Sequence, residues 1–196
     1  ARLAGGLLRP ASRESIETGI RAALSQRDAL EDIAPISGLP GTTRAVLRTL
    51  GRIWRAGLDL RTGPYAVQPR VKDLAWIEDT VRLHLQPGER LLPDLCDLAR
   101  AAVRFAPRVI GPLRIEGVHT MDPIWRPLIN GLREFIQVEW DAPPFCDTGW
   151  FHGSPRHVAI KDATRRGVSC ADPHHEALEA MRWARELLAS GRARAS

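Results

Sequence analysis

Four arginines recur at helical spacing within residues 43–56, a stretch that the sequence predicts to be a helix. They are Arg44, Arg48, Arg52 and Arg55. At ~100° per residue, this spacing places them within an arc of roughly 80° on one helix face. Like charges at such spacing repel one another, so the face favours an anionic partner. Guanidinium groups form paired hydrogen bonds with both phosphates and carboxylates.

The partner of these arginines is not nearby in sequence, because no acidic residue occurs from residue 33 to residue 58. One interpretation is a solvated face that pairs with carboxylates elsewhere in the fold. A second is a surface that binds the phosphate backbone of nucleic acid without reading its bases. A third is a surface that docks an acidic region of another protein.

A polar loop near the C-terminus suggests a different chemistry, that of a metal-dependent enzyme. Its titratable side chains are Asp147, His152, His157 and Asp162. Cys170, His174 and His175 follow them. However, adjacent histidines on a helix point about 100° apart, and zinc sites use other, defined spacings. We therefore predict no metal site and no catalytic residue in this stretch.

Several sequence signatures of catalysis are incomplete. No Walker A phosphate loop occurs, and residues 38–43 have its small residues but not its lysine. Asp94 and Glu116 resemble the acidic pair of PD-(D/E)xK nucleases, but Val118 stands where that motif needs lysine. Residues 158–161 match the lysine strand of protein kinases, although the other kinase motifs are missing.

The periodicity of apolar residues predicts a helical first half followed by strands and helices. The predicted helices cover residues 12–30, 43–56, 69–85, 93–106, 122–132 and 173–190, and the predicted strands cover 108–118, 135–140 and 168–170. Ser12, Thr42 or Thr43, and Asp172 are the expected N-caps, and Gly57 and Gly191 the expected ends. The last helix has a predicted buried line of Ala177, Met181, Ala184 and Leu188.

These elements predict an α/β fold in three regions. Residues 1–106 form a mainly helical region, residues 107–166 a strand–helix–strand region, and residues 167–196 the start of another domain. Because strands alternate with helices in the second half, we expect a parallel sheet flanked by helices.

Composition and charge narrow the class of protein. The 196 residues carry a formal charge of +5, and no apolar run is long enough to span a membrane. Three distant cysteines favour a reducing cytoplasm over a disulfide framework. The chain begins at Ala1 without methionine and stops just after a predicted helix, so we expect a fragment of a longer protein.

Residues 113–123 read Leu-Arg-Ile-Glu-Gly-Val-His-Thr-Met-Asp-Pro, ahead of a predicted helix and the strand Ile-Gln-Val-Glu-Trp at 136–140. This order resembles the Walker B region of superfamily I helicases. In that alignment Glu116 replaces the magnesium-binding acid, Gly117 the glutamate that activates water, and His119 a glutamine. The resemblance implies a degenerate site without ATP hydrolysis, since hydrolysis needs a positioned water and magnesium-held phosphates.

Residues 30–44, 54–60, 111–132 and 175–191 resemble the degenerate helicase-like part of AddB-type double-strand-break repair proteins. They are most similar to inactivated superfamily I helicases that carry a C-terminal PD-(D/E)xK nuclease. The resemblance implies part of a RecA-like sheet, the start of a second RecA-like domain, no cofactor, and a partner subunit or fused nuclease. We therefore expect a non-hydrolysing scaffold that binds the DNA backbone through the four arginines.

Overall fold

The computed structural model describes residues 3–143, 146–157 and 172–190. It confirms a mixed α/β protein in which helices predominate and the strands are short and parallel. The chain divides into two units, Ala1–Ala159 and Ile160–Ser196. No helix among the described residues is long and apolar enough to cross a bilayer.

The helices and strands of the described residues are numbered in chain order. The helices are α1 (Arg13–Ser25), α2 (Thr42–Ala56), α3 (Pro69–Leu83), α4 (Leu92–Ala101), α5 (Ala106–Val109), α6 (Arg126–Leu132) and α7 (Pro173–Ala189). The strands are β1 (Arg9–Pro10), β2 (Glu89–Arg90), β3 (Leu113–Glu116), β4 (Val138–Ala142) and β5 (Arg156–His157).

The ends of the first two helices test the predicted caps. Ser12 caps α1 as predicted, because its side chain accepts a hydrogen bond from the Ser15 N–H. The prediction of a threonine cap for α2 is wrong. Gly41 occupies that position with φ +90°, and the Thr42 hydroxyl instead donates to the Ile36 carbonyl. Gly57 ends α2 in the left-handed conformation, as predicted.

Helices α1, α2 and α3 enclose the largest apolar core. Ile20, Leu50, Ile77 and Val81 are completely buried there. Gly19 lets α1 approach α3 closely, since a Cβ at this position would lie 2.7 Å from the Val81 Cα. This contact explains why a glycine is tolerated inside α1 despite its low helix propensity.

Two buried carboxylates connect the segments around this core. Asp73 on α3 accepts hydrogen bonds from the backbone N–H groups of Glu31, Asp32 and Ile33. Glu89 accepts from the N–H groups of Ser12 and Gln86 beside the small parallel pair β1–β2. The sequence did not predict that strand pair, because strands of two residues leave no periodicity to detect.

The second half contains the expected parallel sheet, with shifted boundaries. Strand β4 lies between β3 and β5, and all pairings are parallel. The strand predicted over 108–118 is wrong at its start, because Val109 ends the short helix α5 and Gly111 turns the chain with φ +76°. Likewise, the strand predicted over 135–140 begins only at Val138. Helix α4 ends at Ala101, before a 3-10 turn, rather than at residue 106.

The two faces of this sheet differ in character. Leu113, Ile115, Val138 and Trp140 face α6 and the aromatic loop that follows β4. The opposite face carries charged side chains, namely Arg114, Glu116, Glu139, Asp141 and Arg156. Parallel sheets covered on both sides are apolar on both sides. Within the described residues, the sheet is therefore packed on one face and charged on the other.

The unit Ile160–Ser196 contributes one described helix, α7. Asp172 caps it as predicted, accepting from the N–H groups of His174 and His175. The predicted buried line of α7 is wrong: its members Ala177, Met181, Ala184 and Leu188 are all exposed. Periodicity shows which face could be buried, but burial also requires a surface that packs against it. The predicted strand 168–170 and Gly191 lie outside the described residues.

Candidate functional site

Helix α2 separates its apolar and basic side chains because of their spacing. Thr42, Val46, Leu50 and Trp54 recur every four residues and are buried. Arg44, Arg48 and Arg52 are offset by two residues from that line, which turns them by ~200° to the opposite side. Arg55 joins them in the last turn. All four arginines are exposed, and we call this set the α2 arginine stripe.

The α2 arginine stripe has no carboxylate partner among the described residues. None of its guanidinium groups forms an ion pair or a hydrogen bond with another described residue. Many other described arginines do, including Arg61 with Glu78 at 2.8 Å and Arg82 with Asp94 at 3.1 Å. The fold thus pairs many of its arginines with carboxylates, whereas the α2 arginine stripe groups four arginines that form no ion pair with a described residue.

The degenerate Walker B residues lie together at the carboxyl end of β3. Glu116 is the last residue of the strand, and its carboxylate forms an ion pair with Arg114 at 2.8 Å. Gly117 follows in the left-handed conformation with φ +68°. His119 is exposed in the loop beyond. Ligand sites in parallel sheets form at this strand end, but here its carboxylate is already paired.

Asp141 is the electrostatic centre of the sheet, and the sequence analysis missed it. It is paired in register with Glu116 and Arg156. Arg156 donates from Nε to Oδ1 and from Nη2 to Oδ2, each at 2.7 Å, and Arg114 donates from Nε to Oδ2 at 2.9 Å. These hydrogen bonds, from Arg156 first and then Arg114, lower the pKa of Asp141 to about 2.

The role of this carboxylate is structural. Each of its oxygens accepts at least one guanidinium hydrogen bond, and its side chain is almost fully buried. The alternation of Val138, Glu139, Trp140 and Asp141 could have indicated that Asp141 shares a face with Glu139. It could not have indicated the two arginines, which lie 27 and 15 residues away in the chain.

A cleft of about 780 Å³ lies among the ends of α2, α3 and α4 and the 3-10 turn Pro123–Trp125. Its charged walls pair with each other: Glu78 accepts from the Trp54 indole at 2.6 Å and from Arg61, and Arg82 bridges Glu78 and Asp94. Asp94, one half of the nuclease-like acidic pair, is thus engaged in a structural network. Such a network rigidifies the helices, and its carboxylates and guanidinium groups are engaged with one another.

The polar loop proposed as an enzyme site holds its side chains in separate local contacts. Asp147 accepts from the Gly149 N–H and lies 3.6 Å from Arg126. His152 is held through its backbone N–H by Asn130, and His157 lies on β5. Asp162, Lys161 and Cys170 lie outside the described residues. In residues 3–143, 146–157 and 172–190, no three His, Cys, Asp or Glu side chains are grouped to hold a metal.

Comparisons with known proteins give no assignment. No family model matches the chain, and neither a curated protein nor a solved structure is detectably similar to it. Function has to be inferred from the geometry of the chain itself, in which the α2 arginine stripe is the strongest feature.

Proposed function

We propose that this chain is a non-catalytic scaffold that binds the phosphate backbone of DNA through Arg44, Arg48, Arg52 and Arg55. The observation that carries the proposal is the α2 arginine stripe: four exposed guanidinium groups on one face, with no carboxylate partner among the described residues. Duplex DNA presents a dense line of negative charge, and binding releases the counterions condensed on it. The same contact therefore relieves repulsion within α2 and gains entropy.

The dimensions of the stripe suit a short stretch of backbone. Arg44 and Arg55 are eleven residues apart, which corresponds to ~16 Å along a helix axis. At about 3.4 Å per base pair, this length covers roughly five base pairs. Guanidinium contacts of this kind position a protein on DNA without selecting a sequence.

The proposal also includes the larger assembly in which this chain would act. The likeness to inactivated superfamily I helicases supports a segment of a double-strand-break repair helicase–nuclease, acting in the cytoplasm with a partner subunit or a fused nuclease. Gly117 stands where an ATPase of that class places its water-activating glutamate, and its lack of a side chain supports a role without ATP hydrolysis. No cofactor is part of the proposal.

The test is fluorescence anisotropy with a duplex of about 20 base pairs, longer than the stripe, across a salt series. The test variant is R44Q/R48Q/R52Q/R55Q. The matched control, R9Q/R70Q/R100Q/R182Q, removes four exposed arginines that have acidic partners. Both variants lower the formal charge from +5 by four, to +1. Circular dichroism and urea unfolding verify that each variant is folded.

We expect the α2 variant to flatten the slope of log affinity against log salt by about 3.6, at ~0.9 for each of the four phosphate contacts. The control should keep a slope close to that of the original chain. Equal slopes for all three proteins, or equal losses in both variants, would overturn the proposal. So would a failure of the original chain to bind, or tighter binding to polyglutamate than to DNA, which would instead support docking to an acidic protein.

A further inference from the structure

A second basic line lies on α1. Arg13, Glu17 and Arg21 are spaced four residues apart and share one side of the helix. The Arg13 Nε donates to Glu17 Oε1 at 2.7 Å, and Arg21 Nη2 lies 3.9 Å from Oε2. Both arginines are well exposed, with 70% and 61% of their side chains accessible. One carboxylate therefore serves two exposed guanidinium groups.

The helix that carries this line packs against α2, the helix of the α2 arginine stripe. Helices α1 and α2 pack through the same apolar core, to which Ile16 and Ile20 contribute from α1 and Val46 and Leu50 from α2. Glu17 is close enough to Arg44 to feel its charge. The pKa of Glu17 is lowered by the hydrogen bond from Arg13 first, and by the charges of Arg13, Arg21 and Arg44. Glu17 thus interacts with both arginines of the α1 line and with Arg44, the first arginine of the α2 arginine stripe.

The ion pairs of Glu17 are the kind that a phosphate can displace. Exposed pairs between long side chains contribute little to stability, because water screens them and ordering the chains costs entropy. A phosphate offers more acceptor oxygens and a matching geometry for a guanidinium fork. Release of Arg13 and Arg21 from Glu17 would widen the positive surface from one helix to two.

We infer that the DNA-binding surface extends from α2 onto α1, with Arg13 and Arg21 as further phosphate ligands. Glu17 is the internal carboxylate that the phosphates displace, and it restrains affinity. This inference rests on the proposed function. It adds two phosphate contacts, those of Arg13 and Arg21. It also gives Glu17 a role in limiting affinity, although no ion pair joins Glu17 to α2.

Two sets of variants test the inference with the same duplex and salt series. R13Q/R21Q should flatten the log–log slope by about 2, at ~0.9 for each lost phosphate contact. E17Q should raise affinity by about threefold or more, the effect of removing one unit-charge repulsion at close range in water. Its control, E14Q, changes the same charge on an exposed residue of the same helix and should have a smaller effect.

The results of these experiments distinguish a failure of the α1 extension from a failure of the proposed DNA binding by α2. If the α2 variant behaves as expected while R13Q/R21Q keeps the original slope, the surface is confined to α2 and the inference is wrong. If E17Q and E14Q raise affinity equally, Glu17 has no special role. If the α2 variant binds like the original chain, the proposed function itself fails. A flattened slope for R13Q/R21Q together with a gain specific to E17Q supports the inference.

Discussion

Helix α2 and the charged face of the sheet both expose arginines, but the fold treats them differently. Arg114 and Arg156 both donate hydrogen bonds to the nearly buried Asp141, and these contacts link the three strands of the sheet. The α2 arginine stripe, in contrast, has no carboxylate partner among the described residues. The number of exposed arginines therefore does not show which of them are available to bind an anion. The candidate for an external anion is the α2 arginine stripe, because it groups on one helix face four exposed arginines without ion pairs to described residues.

Removal of the Asp141 carboxylate should have the largest effect on the charged face of the sheet. In Asp141→Asn the neutral amide places an N–H₂ donor where one oxygen accepted guanidinium hydrogen bonds. Arg156 then loses the carboxylate to which it donates, and Arg114 keeps only its ion pair with Glu116. We expect the largest stability loss of the substitutions discussed here, measured as a lower urea midpoint at pH 7 with an unchanged m-value.

The matched substitution is Asp97→Asn on α4. Asp97 is an exposed carboxylate whose ion pair with Arg100 spans 3.5 Å, and surface pairs of this kind contribute little. Its urea midpoint should stay close to that of the original chain. If Asp141→Asn and Asp97→Asn unfold at the same midpoint, the sheet arginines are no more engaged than ordinary surface ones. The contrast with α2 would then disappear.

The pH dependence of stability provides a second test of Asp141, with a smaller expected effect. The pKa of Asp141 is about 2 in the folded chain, below its ordinary value of 3.8, because two arginines stabilise its charged form. A lowered pKa contributes stability that is complete above the unfolded value and is lost as the pH falls towards the folded one. The stability gap between the original chain and Asp141→Asn should therefore be constant from pH 7 to about 5.

Below that range the gap should narrow, most steeply from pH 4 towards pH 2, as the carboxyl takes up its proton. Urea midpoints at several pH values for both chains measure it, with Asp97→Asn again as the reference. A gap that stays constant down to pH 2 would show that Asp141 acts through its shape or hydrogen bonds and not through its charge.

Local signals made part of this fold predictable. Ser12 and Asp172 cap their helices as expected, because a cap depends on neighbours within three residues. The spacing of the stripe likewise placed its arginines on one face of α2. The threonine cap failed because the chain turns at Gly41 with a positive φ, which frees the Thr42 hydroxyl for the Ile36 carbonyl. The choice between these alternatives depends on the path of the preceding loop.

Distant contacts could not be read from the sequence. Asp73 meets backbone groups 40 to 42 residues away, and Asp141 meets Arg114 across the sheet. Pairing of this kind depends on strand register and on how helices cross. For the same reason, the sequence could show that the stripe lacks a neighbouring acid but not whether a distant carboxylate reaches it. In the described residues, Glu17 is the acid whose pKa Arg44 lowers, and no ion pair joins them.

The smallest predicted effect concerns repulsion within the stripe. Arg48 lies four residues from both Arg44 and Arg52, and each like-charge pair at this spacing costs a few tenths of a kcal/mol. Arg48→Gln should therefore raise the free energy of unfolding by about 0.5 kcal/mol, since arginine and glutamine have similar helix propensities.

The control for this gain is Arg100→Gln, which removes an exposed helical arginine that has an acidic partner in Asp97. Its effect should be zero or slightly destabilising, so the two substitutions should differ in sign. High salt should abolish the gain from Arg48→Gln, because the Debye length falls to about 3 Å at 1 M. A loss of stability in Arg48→Gln at low salt would mean that this guanidinium is neutralised within the protein. The stripe could then no longer be regarded as charge that the fold leaves for an external phosphate.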